Sequence, residues 1–139
     1  MPHSPHSDTI TAGIRIRAAA HLRSRPGPGA AGVHEYEYQI TMSNEGDLSA
    51  RLLARHWIIL DSENRREDVR GRGVIGEFPK LMPGESYTYQ SRCPLRTPWG
   101  TMEGSYLFER DSGATVEVRI GRFFLVPSAP PLPLEQRSR

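Results

Sequence analysis

The residues whose types and spacing best suit chemistry are Gly71-Arg72-Gly73-Val74-Ile75-Gly76, with Arg70 just before them. The spacing is GxGxxG, the pattern with which dinucleotide-binding folds cradle a pyrophosphate. There the third glycine opens a helix whose N-terminus faces the phosphate. Here Glu77-Phe78-Pro79 follows, and a proline disfavours helical geometry where that helix would grow. No βαβ pattern surrounds the motif, so a Rossmann site is excluded. Two readings remain. The glycine-rich stretch can bind an anion through backbone N–H groups beside Arg70 and Arg72, or it is a bulged, twisted strand that needs glycine for its backbone. The first makes Arg70, Gly71, Arg72, Gly73 and Gly76 the candidate anion-binding residues.

Other chemistry-bearing residues are weaker. Asp61, Glu63, Glu67 and Asp68 supply hard oxygen ligands, but a calcium loop wants glycine at its sixth position, where this chain has Arg66. The neighbouring arginines repel a cation. The segment reads as a solvated charged turn, and no metal is assigned. His56 lies in an apolar run without an HxH or CxxC partner, while His21 and His34 are remote in sequence. It reads as a packed, hydrogen-bonded core histidine. Cys93 precedes Pro94 with no catalytic signature around it, and reads as structural. Trp99, in a Pro/Gly loop, is either an exposed contact residue or a plug on the core. No Ser/His/Asp triad or carboxylate pair can be defended from spacing. No catalytic residue and no cofactor are assigned.

The elements that must position these residues are organised around Leu52–Leu60 (LLARHWIIL), the most apolar run in the chain. Both registers of two are largely apolar: Leu52, Ala54, His56, Ile58 and Leu60, against Leu53, Trp57 and Ile59. Such a run predicts a central strand covered on both faces, with partners on either side in sequence. A buried helix would give the same apolarity, but the length and the β-branched and aromatic content favour a strand. Alternation also predicts strands over 9–23, 34–43, 65–70 (an edge), 86–92, 101–110 and 115–126, the last kinked near Gly121. Ala18–Ala20 leave a helical alternative open in the first. Pro83-Gly84 suits the middle of a type II turn, and Asp111-Ser112-Gly113 a hairpin turn. Residues 25–32 read as a flexible insertion and 93–100 as an irregular loop with two prolines. About seven strands with close turn signals make an all-β antiparallel sandwich. It occupies residues 9–126, between a polar, disordered tail at 1–8 and a Pro-rich tail at 127–139.

With 139 residues the chain is one domain. A single cysteine precludes an internal disulfide and suits a reducing compartment. No stretch has the length and apolarity of a membrane span, and the N-terminus lacks the pattern of a secretory signal, so cytoplasmic residence is expected. Of 18 basic residues only Lys80 is lysine. Heavy arginine use suits phosphate recognition, but 16 acidic residues are interspersed and net charge is only +2. Genome composition explains the arginines better than a nucleic-acid face, which would cluster them.

Several collinear blocks resemble the bacterial ApaG family. They are Arg55-His56-Trp57-Ile58-Ile59-Leu60-Asp61, the stretch Val69–Glu77, Leu81-Met82-Pro83-Gly84-Glu85, and Cys93–Tyr106. The resemblance runs from about Ile14 to Val126. The chain departs from it in the 25–32 insertion, in Trp99 and in the two tails. The resemblance implies a fibronectin type III or immunoglobulin-like sandwich without an established enzymatic activity. It also implies a link to cobalt and magnesium efflux, necessarily indirect here, and kinship with protein-interaction domains of F-box and polymerase-delta-interacting proteins. A pyrophosphate-binding proposal attaches to the family's glycine motif, present here as Gly71, Gly73 and Gly76.

The resulting expectation is a non-enzymatic sandwich that binds a partner protein or a small anionic ligand. Its site is Arg70, Gly71, Arg72, Gly73 and Gly76, with Arg55, His56 and Trp99 as neighbours. The alternative is a protein that binds or hydrolyses pyrophosphate or dinucleoside polyphosphates. Neither nucleic acid nor membrane is an expected partner. An exposed edge strand would allow a homodimer.

Overall fold

A computed structural model describes residues 3–130 and 132. Two antiparallel sheets face each other. One has the strand order β1 (His6–Thr11), β2 (Ile14–Ser24), β3 (His34–Asn44), β7 (Ser86–Leu95). The other has the order β5 (Arg66–Arg72), β4 (Ala50–Asp61), β8 (Gly100–Glu109), β9 (Thr115–Leu125), with the short β6 (Lys80–Leu81) also paired to β4. No helix occurs among the described residues. The period-two pattern of β3 sends Tyr36, Tyr38, Ile40 and Met42 into the core, against Ile14, Ile16, Ala18 and Ala20 of β2. Ala18–Ala20 are therefore strand, because each alternate small side chain fits the space between the sheets.

Each of the seven expected strands forms, and two more appear. The stretch 9–23 is divided at Ala12-Gly13, whose φ angles of +50° and +82° make a two-residue type I′ turn. Ala-Gly lacks the Asn or Asp that normally announces that turn. The strand before it begins at His6, so residues 6–8 of the expected disordered tail are instead ordered by pairing with Ala19, Ala18 and Arg17 of β2. Strand β6 is too short to carry a periodic signal. Strand β7 runs through Cys93 and Pro94 to Leu95, so the irregular loop is confined to 96–99. Proline is tolerated because β7 is an end strand and its outward ladder needs no N–H. The Pro-Gly turn forms as expected, with Gly84 at φ +88° and Glu85 N–H donating to the Met82 carbonyl at 2.9 Å.

The apolar run is the strand β4 at the heart of the second sheet, but both its long partners, β5 and β8, follow it in sequence. It is also not covered on both faces. Opposite β8 the register jumps between Leu52 and Ala54, leaving Leu53 as a bulge. The bulge breaks the expected alternation, parting Leu52 from Ala54, His56, Ile58 and Leu60. Leu52, Arg55, Trp57 and Ile59 point inward, opposite Phe108, Tyr106, Gly104 and Met102, while Ala54, His56, Ile58 and Leu60 point outward. These outer residues are half-buried. Long side chains from β5, β8 and β9 shelter them, so no third layer is required.

Trp57, 2% exposed, is the hub of the core. Its ring makes edge contacts with Tyr38 at 5.3 Å, Phe123 at 6.0 Å and Tyr106 at 6.2 Å. Buried Tyr89 and Tyr106 satisfy each other through their hydroxyls at 2.6 Å, and desolvation raises both phenols above the ordinary tyrosine range. One side of the sandwich is laced shut. Thr9 Oγ1 donates to the Arg119 carbonyl, Arg119 N–H to Thr11 Oγ1, and Phe124 N–H to the Ser4 carbonyl. At the other side β7 and β5 each pair with a single neighbour. The kink at Gly121 is a second bulge, where Met102 faces Phe123 and Gly104 faces Ile120.

Trp57 sits opposite Gly104, where β8 approaches so closely that an added Cβ would overlap the His56 carbonyl. Replacing Gly104 by alanine therefore forces β4 and β8 apart beside the core hub. The expected cost is about 3 kcal/mol in urea unfolding. A loss below about 0.5 kcal/mol, the scatter of ordinary surface changes, would contradict this close approach.

Candidate functional site

The glycine motif ends β5 and begins a small hairpin. Gly71 lies opposite Arg55 in the β4–β5 ladder. Because the Leu53 bulge turns Arg55 inward, its guanidinium lies over Gly71, and a Cβ there would meet guanidinium atoms at 2.6–2.8 Å. Arg55 Nη1 donates to the carbonyls of Arg72 at 3.0 Å and Gly73 at 2.8 Å. Gly73 has φ +62°, and an added Cβ would overlap the Glu77 carbonyl. Val74 to Glu77 form a type I′ turn closed in both directions, Val74 N–H to Glu77 O and Glu77 N–H to Val74 O. Its central residues are Ile75 at φ +42° and Gly76 at φ +79°. Each glycine thus has a local backbone reason. The amides of Gly73, Val74 and Glu77 are bonded within the chain, Gly73 to the Leu53 carbonyl. Those of Ile75 and Gly76, at the tip, take no part in the turn's own bonds. A β-branched residue at positive φ is strained, and Ile75 is also exposed.

The β5 register places Arg66, Asp68, Arg70 and Arg72 on the outer face beside Leu60, Ile58, His56 and Ala54. His56 Nε2 meets Asp68 Oδ2 at 2.8 Å, and Arg66 donates to both Asp68 oxygens at 2.7 and 3.0 Å. Those bonds, Arg66 first and His56 second, hold the Asp68 carboxyl well below the usual carboxylate range. His56 is therefore hydrogen-bonded, as expected, but on a partly open face and not in the core. The Arg72 guanidinium lies over the Phe78 ring, 5.4 Å from its centroid. Arg70, directly opposite His56, is exposed and carries no ion pair or hydrogen bond to another side chain among the described residues. Arg55, His56, Arg70, Gly71 and Arg72 thus come together.

Trp99 does not join them. Strand pairing sets Gly100 opposite Asp61 and Arg72 opposite Ala54, seven residues apart along β4, or about 23 Å. The loop before Gly100 is held firmly: the Tyr36 hydroxyl donates to the Pro98 carbonyl at 2.6 Å, Thr97 Oγ1 to the Trp99 carbonyl, and Ser62 N–H to Thr97 Oγ1. Trp99 stacks on Phe124 at 6.2 Å and 23°, yet stays 42% exposed. It is both plug and surface. Its neighbours His3, Val126 and Pro127 complete an apolar recess of about 400 Å³.

The acidic segment is a capped turn. Asp61 accepts from the amides of Glu63 and Arg65 and from Arg65 Nε, while Glu63 pairs with Arg65 at 3.1 Å. Cys93 is buried, and desolvation pushes its thiol up to about 12, which suits a structural role. A second recess on the outer face, about 360 Å³, gathers His56, Ser105, Glu103, Glu117 and Arg119 from three strands. Ser105 lies directly opposite His56 and donates to Glu117 at 3.2 Å. No local motif could have announced this cluster, because only the strand pairing brings it together.

The fold defines a two-sheet antiparallel β-sandwich domain with an arginine-bearing edge strand. The ApaG domain model matches residues 28–110, from the loop before β3 to the end of β8. A protein ApaG of Anaeromyxobacter dehalogenans is 39% identical over 120 residues, covering 86% of this chain and 94% of the relative. One of Bdellovibrio bacteriovorus is 43% identical over 103 residues, covering 74% and 79%. The crystal structure of a Bordetella pertussis protein given the name ApaA superposes with a TM-score of 0.76 at 35% identity, covering 91% of this chain and 98% of that one. The chain belongs to the ApaG domain family.

Two outcomes follow from this geometry. Gly71→Ala should destabilise the native protein, and Arg55→Ala should remove most of that penalty. A double-mutant cycle in urea is then strongly non-additive, whereas additivity would mean that the guanidinium is not what Gly71 accommodates. For pH, Asp68 titrates below its ordinary 3.8 in the folded chain. Its contribution is complete above that value and is lost as pH falls towards the folded-state one. Urea midpoints measured from roughly pH 7 to pH 2 should fall less steeply below about pH 4 in Asp68→Asn than in the natural chain. Parallel curves would remove the linkage.

Proposed function

We propose that the chain is a non-enzymatic binding module. Its outer β5 face takes an anionic group, carried by a small phosphate compound or by an acidic segment of a partner protein. The observation behind this is Arg70: an exposed guanidinium without a carboxylate among the described residues, one strand from His56, on the same face of β5 as Arg72 and near the strained Ile75-Gly76 turn. Arginine forks match phosphate and carboxylate oxygens in pairs. Strain held at an exposed tip is characteristic of surfaces that recognise something. Binding is favoured over turnover because three of the four nearby carboxylates, all but Glu67, already serve the chain. Asp61 and Glu63 hold Arg65, and Asp68 holds Arg66 and His56. Hydrolysis of phosphate compounds normally requires such carboxylates to carry a metal.

No helix among the described residues is long and apolar enough to cross a membrane. Residence in the cytoplasm, and an indirect connection to cobalt and magnesium handling, are parts of the same proposal. Thermal unfolding against pyrophosphate, ATP, diadenosine tetraphosphate, magnesium and cobalt tests it. A ligand at a hundred times its Kd adds roughly 2.7 kcal/mol of apparent stability. A phosphate compound should raise the Tm of the natural chain and leave Arg70→Ala/Arg72→Ala unmoved. A shift of equal size in both proteins would place the site elsewhere. A flat panel would leave an acidic protein segment as the ligand, to be sought by capture with the same double variant as control.

A further inference from the structure

The sandwich is laced shut along β1 and β9 and open along β5 and β7. Of the two open edges, β7 carries Pro94, which has no N–H to offer a further strand. Strand β5 offers an unbroken row. Its phase is fixed at both ends: the Arg65 carbonyl accepts from the Asp61 amide at 3.1 Å, and the Gly73 amide donates to the Leu53 carbonyl at 2.9 Å. Backbone groups alternate along an antiparallel strand, so the odd-numbered residues turn theirs to β4 and the even-numbered ones turn theirs away. The N–H groups of Arg66, Asp68, Arg70 and Arg72 therefore line the free edge, with the carbonyls of Arg66, Asp68 and Arg70. Among the described residues β5 pairs with β4 alone, and these four residues are exposed. The Arg72 carbonyl is already taken by Arg55.

The same four residues send their side chains to the outer face. Arg66 is held by Asp68, whereas Arg70 has no carboxylate among the described residues and Arg72 has the Phe78 ring. Uncompensated positive charge thus stands at alternate positions beside unpaired backbone. A second copy of the chain does not suit this edge. Two β5 strands paired antiparallel about Asp68, Val69 or Arg70 would set Arg66 against Arg70, Arg66 against Arg72, or Arg70 against itself. Like charges directly opposite destabilise such a pair. A neutral strand would leave both arginines without a partner, which is how charged edges deter indiscriminate pairing. A segment with carboxylates two residues apart meets both arginines on one face.

We propose that β5 takes an extended acidic segment of a partner protein as an added antiparallel strand, its main chain on the free edge and its alternate carboxylates on Arg70 and Arg72. This narrows the anion-binding reading of the face, on which it rests, to a polypeptide. The seven residues of β5 span roughly 23 Å, room for a segment of similar length. Its intervening side chains point to the inner side, past Val69 and Glu67. Glu67 lines a recess of about 400 Å³ between the start of β5 and the end of β7, with Val33, Ile59, Pro94 and Leu95 as apolar walls. An apolar side chain opposite Glu67 enters it. Main-chain bonds hold the segment, while the arginines and the recess select it.

The probe is an end-blocked heptapeptide, Glu-Val-Glu-Val-Thr-Val-Thr, beside a version N-methylated at both glutamates, which keeps the carboxylates and loses the edge-facing N–H groups. Added in excess to the full-length, isotope-enriched chain, the first peptide should slow hydrogen exchange of the Asp68 and Arg70 amides about tenfold and leave the β7 amides unchanged. The N-methylated peptide, and the Arg70→Ala/Arg72→Ala chain with the first peptide, should each bind about tenfold more weakly. The Trp57 indole signal shows that the core persists in that variant. Equal binding of both peptides, or protection on β7 in place of β5, would overturn the strand pairing. Absence of binding would do the same, and a pyrophosphate-induced rise in Tm that the double variant lacks would then show that the anion-binding reading survives alone. Peptide binding unchanged in the double variant would remove that reading and the added strand together. Concentration-dependent protection of the β5 amides without peptide would make a second copy the occupant and overturn the proposal.

Discussion

The inward turn of Arg55 is the constraint on which the edge of the five-stranded sheet depends. One inserted residue, Leu53, breaks the alternation of β4 and sends a guanidinium between the layers. A cation there is costly unless its donors are met. The chain meets them with the carbonyls of Arg72 and Gly73. That requires β5 to end with its carbonyls pointing back, and requires no side chain at position 71. The reversal at Gly73 and the tight turn at Ile75-Gly76 follow directly. The glycine motif is therefore explained first as the backbone needed to receive Arg55. Whatever Arg70 and Arg72 bind, they do so on a rim held in place by that internal guanidinium.

The same bulge decides the chemistry of the outer face. Had alternation continued, Leu53 and Arg55 would face solvent and His56 would face the core. Instead His56 lies outside, where Asp68, Arg66 and Ser105 surround it. The outer surface of the sheet becomes a lattice of ion pairs and hydrogen bonds, Arg122 with Glu103 and Ser105 with Glu117 among them. Exposed pairs of this kind contribute little stability each. Their effect is to hold long side chains over half-buried Ile58 and Leu60.

How much of this was legible in the sequence depended on whether the signal was periodic. The alternation of Tyr36, Tyr38, Ile40 and Met42 predicts strand β3 and its inner face directly, and Pro83-Gly84 predicts its turn. The β-sandwich rested on such local regularities, whereas the family resemblance rested on particular collinear blocks, Arg55–Asp61 and Cys93–Tyr106 among them. What alternation cannot show is a single inserted residue. Leu53 resembles its neighbours, so the central strand was expected to be covered on both faces with unbroken alternation, and the inward Arg55 went unseen. Ala12-Gly13 was similarly silent, since alanine seldom accepts a positive φ. The grouping of Arg70 and Arg72 beside the glycines was visible because it is contiguous. The separation of Trp99 from them, and the cluster of His56, Ser105 and Glu117, exist only once the strands are paired.

The lacing between the first strand and the last has a kinetic side. Thr9 bonds a carbonyl 110 residues further on. The sandwich therefore cannot close until nearly the whole domain is available, and its closing step brings together segments that start far apart. Chains dominated by such distant pairings fold slowly, because the entropy of ordering the intervening loop is lost before the contacts compensate for it. Until β1 docks, the edge of β9 stands open to another chain. A domain of this topology is most vulnerable to misassociation during synthesis, and a polar β1 limits the adhesiveness of that late-closing seam.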